Sequence, residues 1–174
     1  AHKVKAVVIL RTMIMYSIIE SSALIINRDG SVFHLHQRPE QIADTIILVG
    51  DPGRVGLVAS YFDNVEFTGS SREFVSSTGS YKGKRLTVIS TGIGTDNIDI
   101  VVTELAALAN IDFATRTEKE QKQQLTLLRL VPSGALQPDI ELGTFLFSRT
   151  SVGLDVLLNL YKARNEVCDL PISP

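Results

Sequence analysis

The sequence holds a single cysteine, Cys168, and no tryptophan in 174 residues. One thiol excludes an internal disulfide framework and any multi-cysteine metal site, and it points to a reducing compartment. Aromatic residues make up only 6% of the chain, and 17 Lys+Arg face 19 Asp+Glu for a net charge of -2. Without a basic patch and stacking rings, nucleic-acid binding has no support. Long apolar runs are missing too. Arg11 separates Ala6-Val7-Val8-Ile9-Leu10 from the stretch Met13 to Ile19, and neither approaches the roughly 20 residues of a membrane span. A secretory signal would keep its apolar core unbroken. Residues 1–21 therefore read as an atypical N-terminal extension, a buried strand or a sticky non-native segment, rather than as a targeting sequence. Neither G-x-G-x-x-G nor the Walker pattern occurs, and Gly92-Ile93-Gly94 alone is a weak signal.

The chain is 44% hydrophobic and 21% charged, the composition of a globular protein with one core, expected to be cytoplasmic. Its punctuation becomes regular after Asp29-Gly30, a turn signal from which Val32 to Leu35 leaves as a short strand. Thr45 to Val49 is a continuous β-branched and apolar run, as in a strand covered on both faces. It ends at Gly50-Asp51-Pro52-Gly53-Arg54, after which Val55, Val58, Ala59 and Phe62 take helical spacing. Phe74 to Tyr81 and Arg85 to Ser90 form a hairpin around Lys82-Gly83-Lys84. A glycine-bearing loop, Ser90 to Asn97, then leads into the clearest element, a helix with Ile98, Val101, Val102, Leu105, Leu108 and Ala109 on one face. Asp96 or Asn97 is expected to cap it, with its end at Asn110. Thr115 to Gln124 reads as polar surface, Leu125 to Leu130 as a buried strand, Gly143 to Ser151 as a strand and Leu154 to Tyr161 as a helix. No internal repeat is visible. This rhythm predicts an α/β fold with a mixed, largely parallel central sheet flanked by helices.

In open α/β sheets, ligands bind beyond the carboxyl ends of the strands, where freed backbone N–H groups and helix N-termini attract anions. Gly50 to Arg54 offers such amides with a guanidinium, Arg129 lies at a strand end and Arg72 in a loop. Three arginines near strand termini suit a phosphate dianion through bidentate charge-assisted bonds. Taken singly, a Gly-Asp-Pro-Gly run is more often a turn, and a strand-end arginine more often a surface charge. His34 beside Phe33 and Leu35 is more often a packed, hydrogen-bonded side chain than a base. His36, two residues on, would share its strand face, but no third metal ligand stands out. Cys168 has no basic neighbour that would activate it.

Phe33-His34-Leu35, Gly50-Asp51-Pro52-Gly53-Arg54, Ser71-Arg72-Glu73-Phe74, Ser90-Thr91-Gly92-Ile93-Gly94 and Arg129 to Gly134 occur in one order and spacing. Together they resemble the nucleoside phosphorylases, most closely the bacterial-type uridine phosphorylases, over residues 22–174. The resemblance implies phosphate-dependent cleavage of a pyrimidine nucleoside to free base and ribose 1-phosphate, without metal or organic cofactor. By position, Gly50, Arg54 and Arg129 resemble phosphate ligands, with Arg129 catalytic. Arg72 resembles the arginine that a neighbouring subunit inserts into the phosphate site, and His34 the histidine lent across the interface to the ribose 5′-hydroxyl. Ser133 and Gly134 match positions lining the base pocket. A homodimer or hexamer with shared sites follows from the resemblance.

Two departures bear on activity. The family's strand-end motif, Arg-x-Gly-Thr-Ser/Thr-Gly, here reads Arg129-Leu130-Val131-Pro132-Ser133-Gly134. Pro132 has neither the amide nor the hydroxyl of the threonine it replaces. The sequence also stops at Pro174, before the family's Glu-Met-Glu ribose segment and its Gln/Arg pair for uracil, so the domain is expected to be incomplete at its C-terminus. A truncated, non-catalytic homologue that keeps the phosphate site is therefore an alternative, as is a nucleosidase using water. The retained arginines favour phosphate over water.

Overall fold

The computed structural model describes residues 18–149 and 157–162. The strands are β1 (Thr45–Val49), β2 (Asn64–Ser71), β3 (Phe74–Tyr81), β4 (Lys84–Ser90), β5 (Ile111–Asp112), β6 (Thr117–Glu118) and β7 (Thr126–Leu130); the helices are α1 (Gly53–Ala59) and α2 (Thr95–Asn110). The chain divides into two compact units, 1–131 and 132–174.

The first unit grows from β1. Its run of apolar residues alternates between two covered faces, as a strand buried on both sides requires. Ile46 and Leu48 join Ile89, Phe74, Leu35 and the α2 residues Val101, Leu105 and Leu108 in one core. Val49 packs on the opposite face with Val88 and Val55 of α1, and Ile47 joins them. Each fully buried Leu or Val of these cores contributes roughly 1.5–3 kcal/mol over an exposed one. β1 lies parallel to β4 on one side and to β7 on the other. β3 and β2 extend the sheet by antiparallel hairpins beyond β4, giving the order β2-β3-β4-β1-β7. This is the expected mixed sheet between helices, with its parallel strands where the strand-end loops gather. β5 and β6 pair separately, within the polar segment after α2.

Gly79 is dictated by packing. A Cβ there would lie 2.2 Å from the carbonyl oxygen of Asn64 and 2.6 Å from the Phe62 ring, so no side chain fits where β3 passes the start of β2.

Several expectations are corrected. Val32 to Leu35 forms a turn rather than a strand; only Val32 makes an isolated bridge, to Ile26. The Glu104 carboxylate takes the backbone N–H groups of His34 and Leu35 that a ladder would need. The cap of α2 is Gly94, not Asp96 or Asn97. Gly92, at φ 63, turns the chain early, so both polar residues fall inside the first turn, where Asp96 suits the positive end of the helix dipole. β7 is not buried. It pairs only with β1 among the described residues, and Leu128 and Leu130 are half exposed, while Leu127 packs on the α2 face. Residues 64–71, to which the sequence assigns no element, form the strand β2.

In the second unit, the described residues 143–149 of the expected strand Gly143–Ser151 carry no strand. Gly143 sits at φ 88, and Phe145 and Phe147 are exposed. Within the expected helix 154–161, Leu157–Leu160 forms a 3-10 turn. Cys168 and residues 1–17 of the N-terminal extension lie outside the described residues.

Candidate functional site

The parallel strands β4, β1 and β7 end side by side, in register Val49↔Ser90 and Val49↔Leu130. The loops that follow are knit together by Thr91, which is completely buried. Its backbone N–H donates to the Val49 carbonyl at 2.8 Å, and its hydroxyl donates to the Gly92 carbonyl at 2.8 Å. The same hydroxyl accepts a bond from Arg129 Nη1 at 2.9 Å, while Nη2 reaches the Gly92 carbonyl at 3.5 Å. Leu48 is the register partner of Arg129, so the guanidinium leaves β7 on the α2 side, at the rim of the core. Gly50 adjoins this group: a Cβ there would meet the Gly92 carbonyl at 3.6 Å and Ile93 Cγ2 at 3.4 Å. Those are ordinary contacts, and φ is not positive, so the protein's own packing does not demand glycine here. A bare backbone at this place suits close approach by a ligand.

Arg54 occupies the first turn of α1, behind an Asx turn in which Asp51 Oδ1 accepts the Gly53 N–H at 2.9 Å. Its backbone N–H bonds to the Asp51 carbonyl at 3.0 Å, and its half-buried side chain has no hydrogen bond or ion pair among the described residues.

Arg72 belongs to a second cluster. It holds φ 55 in the turn between β2 and β3, and its guanidinium lies over the Phe33 ring, 5.1 Å from the centroid. Phe33 in turn meets His34 edge to face at 5.0 Å. His34 Nδ1 is 2.7 Å from Glu104 Oε1. The two residues that resemble those lent to a partner thus stand together on one surface, apart from the contacts of Arg129. The turn remains tied to the end of β4, where the Ser90 hydroxyl donates to the Glu73 carbonyl at 3.0 Å.

His34 and His36 do not form a pair. His36 sits at φ 51, with Nε2 3.3 Å from Asp29. The Asp29 carboxyl is held below its usual range, first by the Ser31 hydroxyl that donates to it at 2.6 Å and then by the Ser31 backbone N–H. Among the described residues no group of three His, Cys, Asp or Glu could hold a metal ion. Ser133 and Gly134 are exposed in the second unit, without regular secondary structure.

Sequence reasoning missed two residues, Thr91 as the hub of the strand-end loops and Glu104 as the support of His34. Glu104 did leave a signal. A carboxylate three residues after Val101 and four before Leu108 interrupts the apolar face of an amphipathic helix.

Residues 44–174 match the family model described as the phosphorylase superfamily. The chain belongs to that superfamily. Gly50, Arg54, Arg72, Arg129, Ser133 and Gly134 fall inside the matched span, and His34 lies before it. Similar proteins include a uridine phosphorylase of Thermococcus kodakarensis, 32% identical over 73% of this chain and 41% of its own length. A uridine phosphorylase of Haemophilus influenzae is 38% identical over 72% of this chain and 45% of its own length. A purine nucleoside phosphorylase, DeoD-type, of Bacillus subtilis is 33% identical over 68% of this chain and 46% of its own. The solved structure of a Trypanosoma brucei nucleoside phosphorylase, described as showing uridine phosphorylase activity, is 44% identical with a TM-score of 0.54, covering 57% of this chain and 31% of that one. The chain spans less than half the length of the curated relatives it matches.

Proposed function

We propose that this chain carries the phosphate-binding core of a nucleoside phosphorylase acting on pyrimidine nucleosides, uridine above all. The observation that carries the reading is Arg129, bonded to Thr91 and Gly92 beside the bare backbone of Gly50. A guanidinium with part of its fork already fixed, next to strand-end amides, is built to orient an oxyanion. Phosphate oxygen would attack the anomeric carbon as the glycosidic bond breaks. The base leaves with the bonding electrons and takes up a proton, and ribose 1-phosphate remains. Arg129, Gly50 and Arg54 would hold the nucleophile, so catalysis rests on positioning and electrostatics. The reading requires no metal or organic cofactor.

The clustering of Arg72, Phe33 and His34 on one surface supports a homodimer or hexamer in which this surface completes a partner's site. The single thiol favours a cytoplasmic setting, and no helix among the described residues is long and apolar enough to cross a membrane.

Val131 and Pro132 favour a second reading, a phosphate-binding homologue with little turnover. A lost preorganised donor typically costs about a hundredfold or more in rate. Incubating the chain with uridine, with and without phosphate, tests both readings. Uracil release is expected only with phosphate, slowly, and about tenfold to a hundredfold faster in the double variant Val131→Gly/Pro132→Thr. Uracil release independent of phosphate would replace the phosphorylase reading with a nucleosidase. An unchanged rate in the double variant would show that the loop is not what limits turnover.

A further inference from the structure

We infer that Glu104 is a positioning residue that fixes the tautomer and direction of the His34 ring, leaving Nε2 as a hydrogen-bond acceptor for a ribose hydroxyl. The ribose half of this statement rests on the function proposed above; the tautomer half does not.

Glu104 is 7% exposed and projects from α2 between Val101, Leu105 and Leu108. A carboxylate in such a place is costly unless its oxygens are satisfied. Here they are satisfied by one short segment lying 70 residues earlier in the chain. Oε1 accepts the His34 backbone N–H at 2.9 Å and faces His34 Nδ1 at 2.7 Å, while Oε2 accepts the Leu35 N–H at 2.8 Å. The two backbone bonds alone would pin the turn. The ring contact does something more. Every group aimed at Glu104 by this segment is nitrogen, and a carboxylate only accepts, so the ring nitrogen at 2.7 Å is the one carrying hydrogen. In a neutral imidazole the other nitrogen, Nε2, then has a free lone pair directed away from Glu104. Phe33 braces the ring edge to face, and Arg72 covers Phe33 in turn. The His34 side chain keeps 31% of its surface and lines a cleft with Ile100 and Thr103, so the ring is within reach of a bound hydroxyl. Orientation by a buried carboxylate at one ring nitrogen is the arrangement that sets which nitrogen works in other histidine sites.

The test is nitrogen NMR on the full chain. Long-range proton–nitrogen spectra distinguish the tautomers of the three histidines, and His34→Gln identifies the signal of interest. The neutral wild-type ring is expected as the Nδ1–H form. In Glu104→Gln the amide offers one acceptor and one NH2 to the same donors. The NH2 is then driven to face Nδ1, and the ring proton moves to Nε2. Glu104→Asp keeps the carboxylate and is expected to retain Nδ1–H. An Nε2–H or doubly protonated ring in the wild type at neutral pH overturns the inference, as does an unchanged tautomer in Glu104→Gln. If Glu104→Gln fails to fold, the wild-type spectrum alone decides. The second readout is the kcat/KM ratio for uridine over 5′-deoxyuridine. Losing one neutral hydrogen bond should lower that preference in Glu104→Gln by about threefold to tenfold. A switched tautomer with unchanged preference would break the link to ribose. No turnover of either substrate by the wild type, with the expected tautomers, would sink the proposed function and leave the role of Glu104 standing.

Discussion

Replacing Thr91 by valine removes one hydroxyl from the centre of the strand-end cluster and keeps the branched shape of the side chain. The backbone bond from residue 91 to the Val49 carbonyl, 2.8 Å, is untouched. Two bonds are lost, one from Arg129 Nη1 at 2.9 Å and one to the Gly92 carbonyl at 2.8 Å. A hydrogen bond to a charged group is worth about 1.5–3 kcal/mol when sheltered. Arg129 is exposed, so solvent screening brings its share down to about 1 kcal/mol or less. With the neutral bond, the expected stability loss is about 1–2 kcal/mol, read from the urea midpoint. The larger consequence is for phosphate. A guanidinium no longer held must be ordered on binding, at about 0.5–1.5 kcal/mol for a long side chain, so affinity should fall about twofold to tenfold. Arg129→Ala, which removes the proposed phosphate ligand, should cost about tenfold to a hundredfold. Because Thr91 acts through Arg129, the two effects should not add. In the Arg129→Ala background, Thr91→Val should change phosphate affinity by less than about twofold. Isothermal titration of phosphate into the four proteins of this cycle measures each term. Additive losses, or wild-type affinity in Thr91→Val, would refute the anchoring role of the hydroxyl.

Arg54→Ala should weaken phosphate binding by about tenfold to a hundredfold, since a half-buried guanidinium without another partner among the described residues is removed. Equal affinity in the same titration would exclude Arg54 from the site. Gly79→Ala should destabilise the first unit by about 1–3 kcal/mol or more, because its Cβ would be forced to 2.2 Å from the Asn64 carbonyl oxygen. An unchanged urea midpoint would show that the start of β2 yields freely.

The parallel centre of the sheet was legible because its strands carry their burial in their composition. Thr45 to Val49 has no polar interruption after its first residue, and a run of that kind is stable only between two layers. The antiparallel side was half legible. Lys82-Gly83-Lys84 marked the hairpin of β3 and β4, whereas β2 is held by pairing with β3, from Ser71↔Phe74 to Asn64↔Ser80, and its own alternation stops at Val65 and Phe67, before the polar run Thr68 to Ser71. Val32 to Leu35 failed for the opposite reason. Its residues favour a strand, but Glu104 arrives from α2 and takes two of its donors, and a local pattern cannot register a competitor 70 residues away. The same limit governs the site. Arg129 was visible as a charge at a strand end, which alone is more often a surface residue. What sets it apart is a bond to Thr91, 38 residues earlier. That bond exists because β1 lies between β4 and β7 and brings their carboxyl ends to the same level, Ser90 and Leu130 both opposite Val49. Parallel register is therefore what turns an isolated strand-end arginine into a member of a hydrogen-bonded cluster with Thr91 and Gly92. Register is fixed by burial along whole strands, so the geometry of this cluster depends on apolar residues that never touch it.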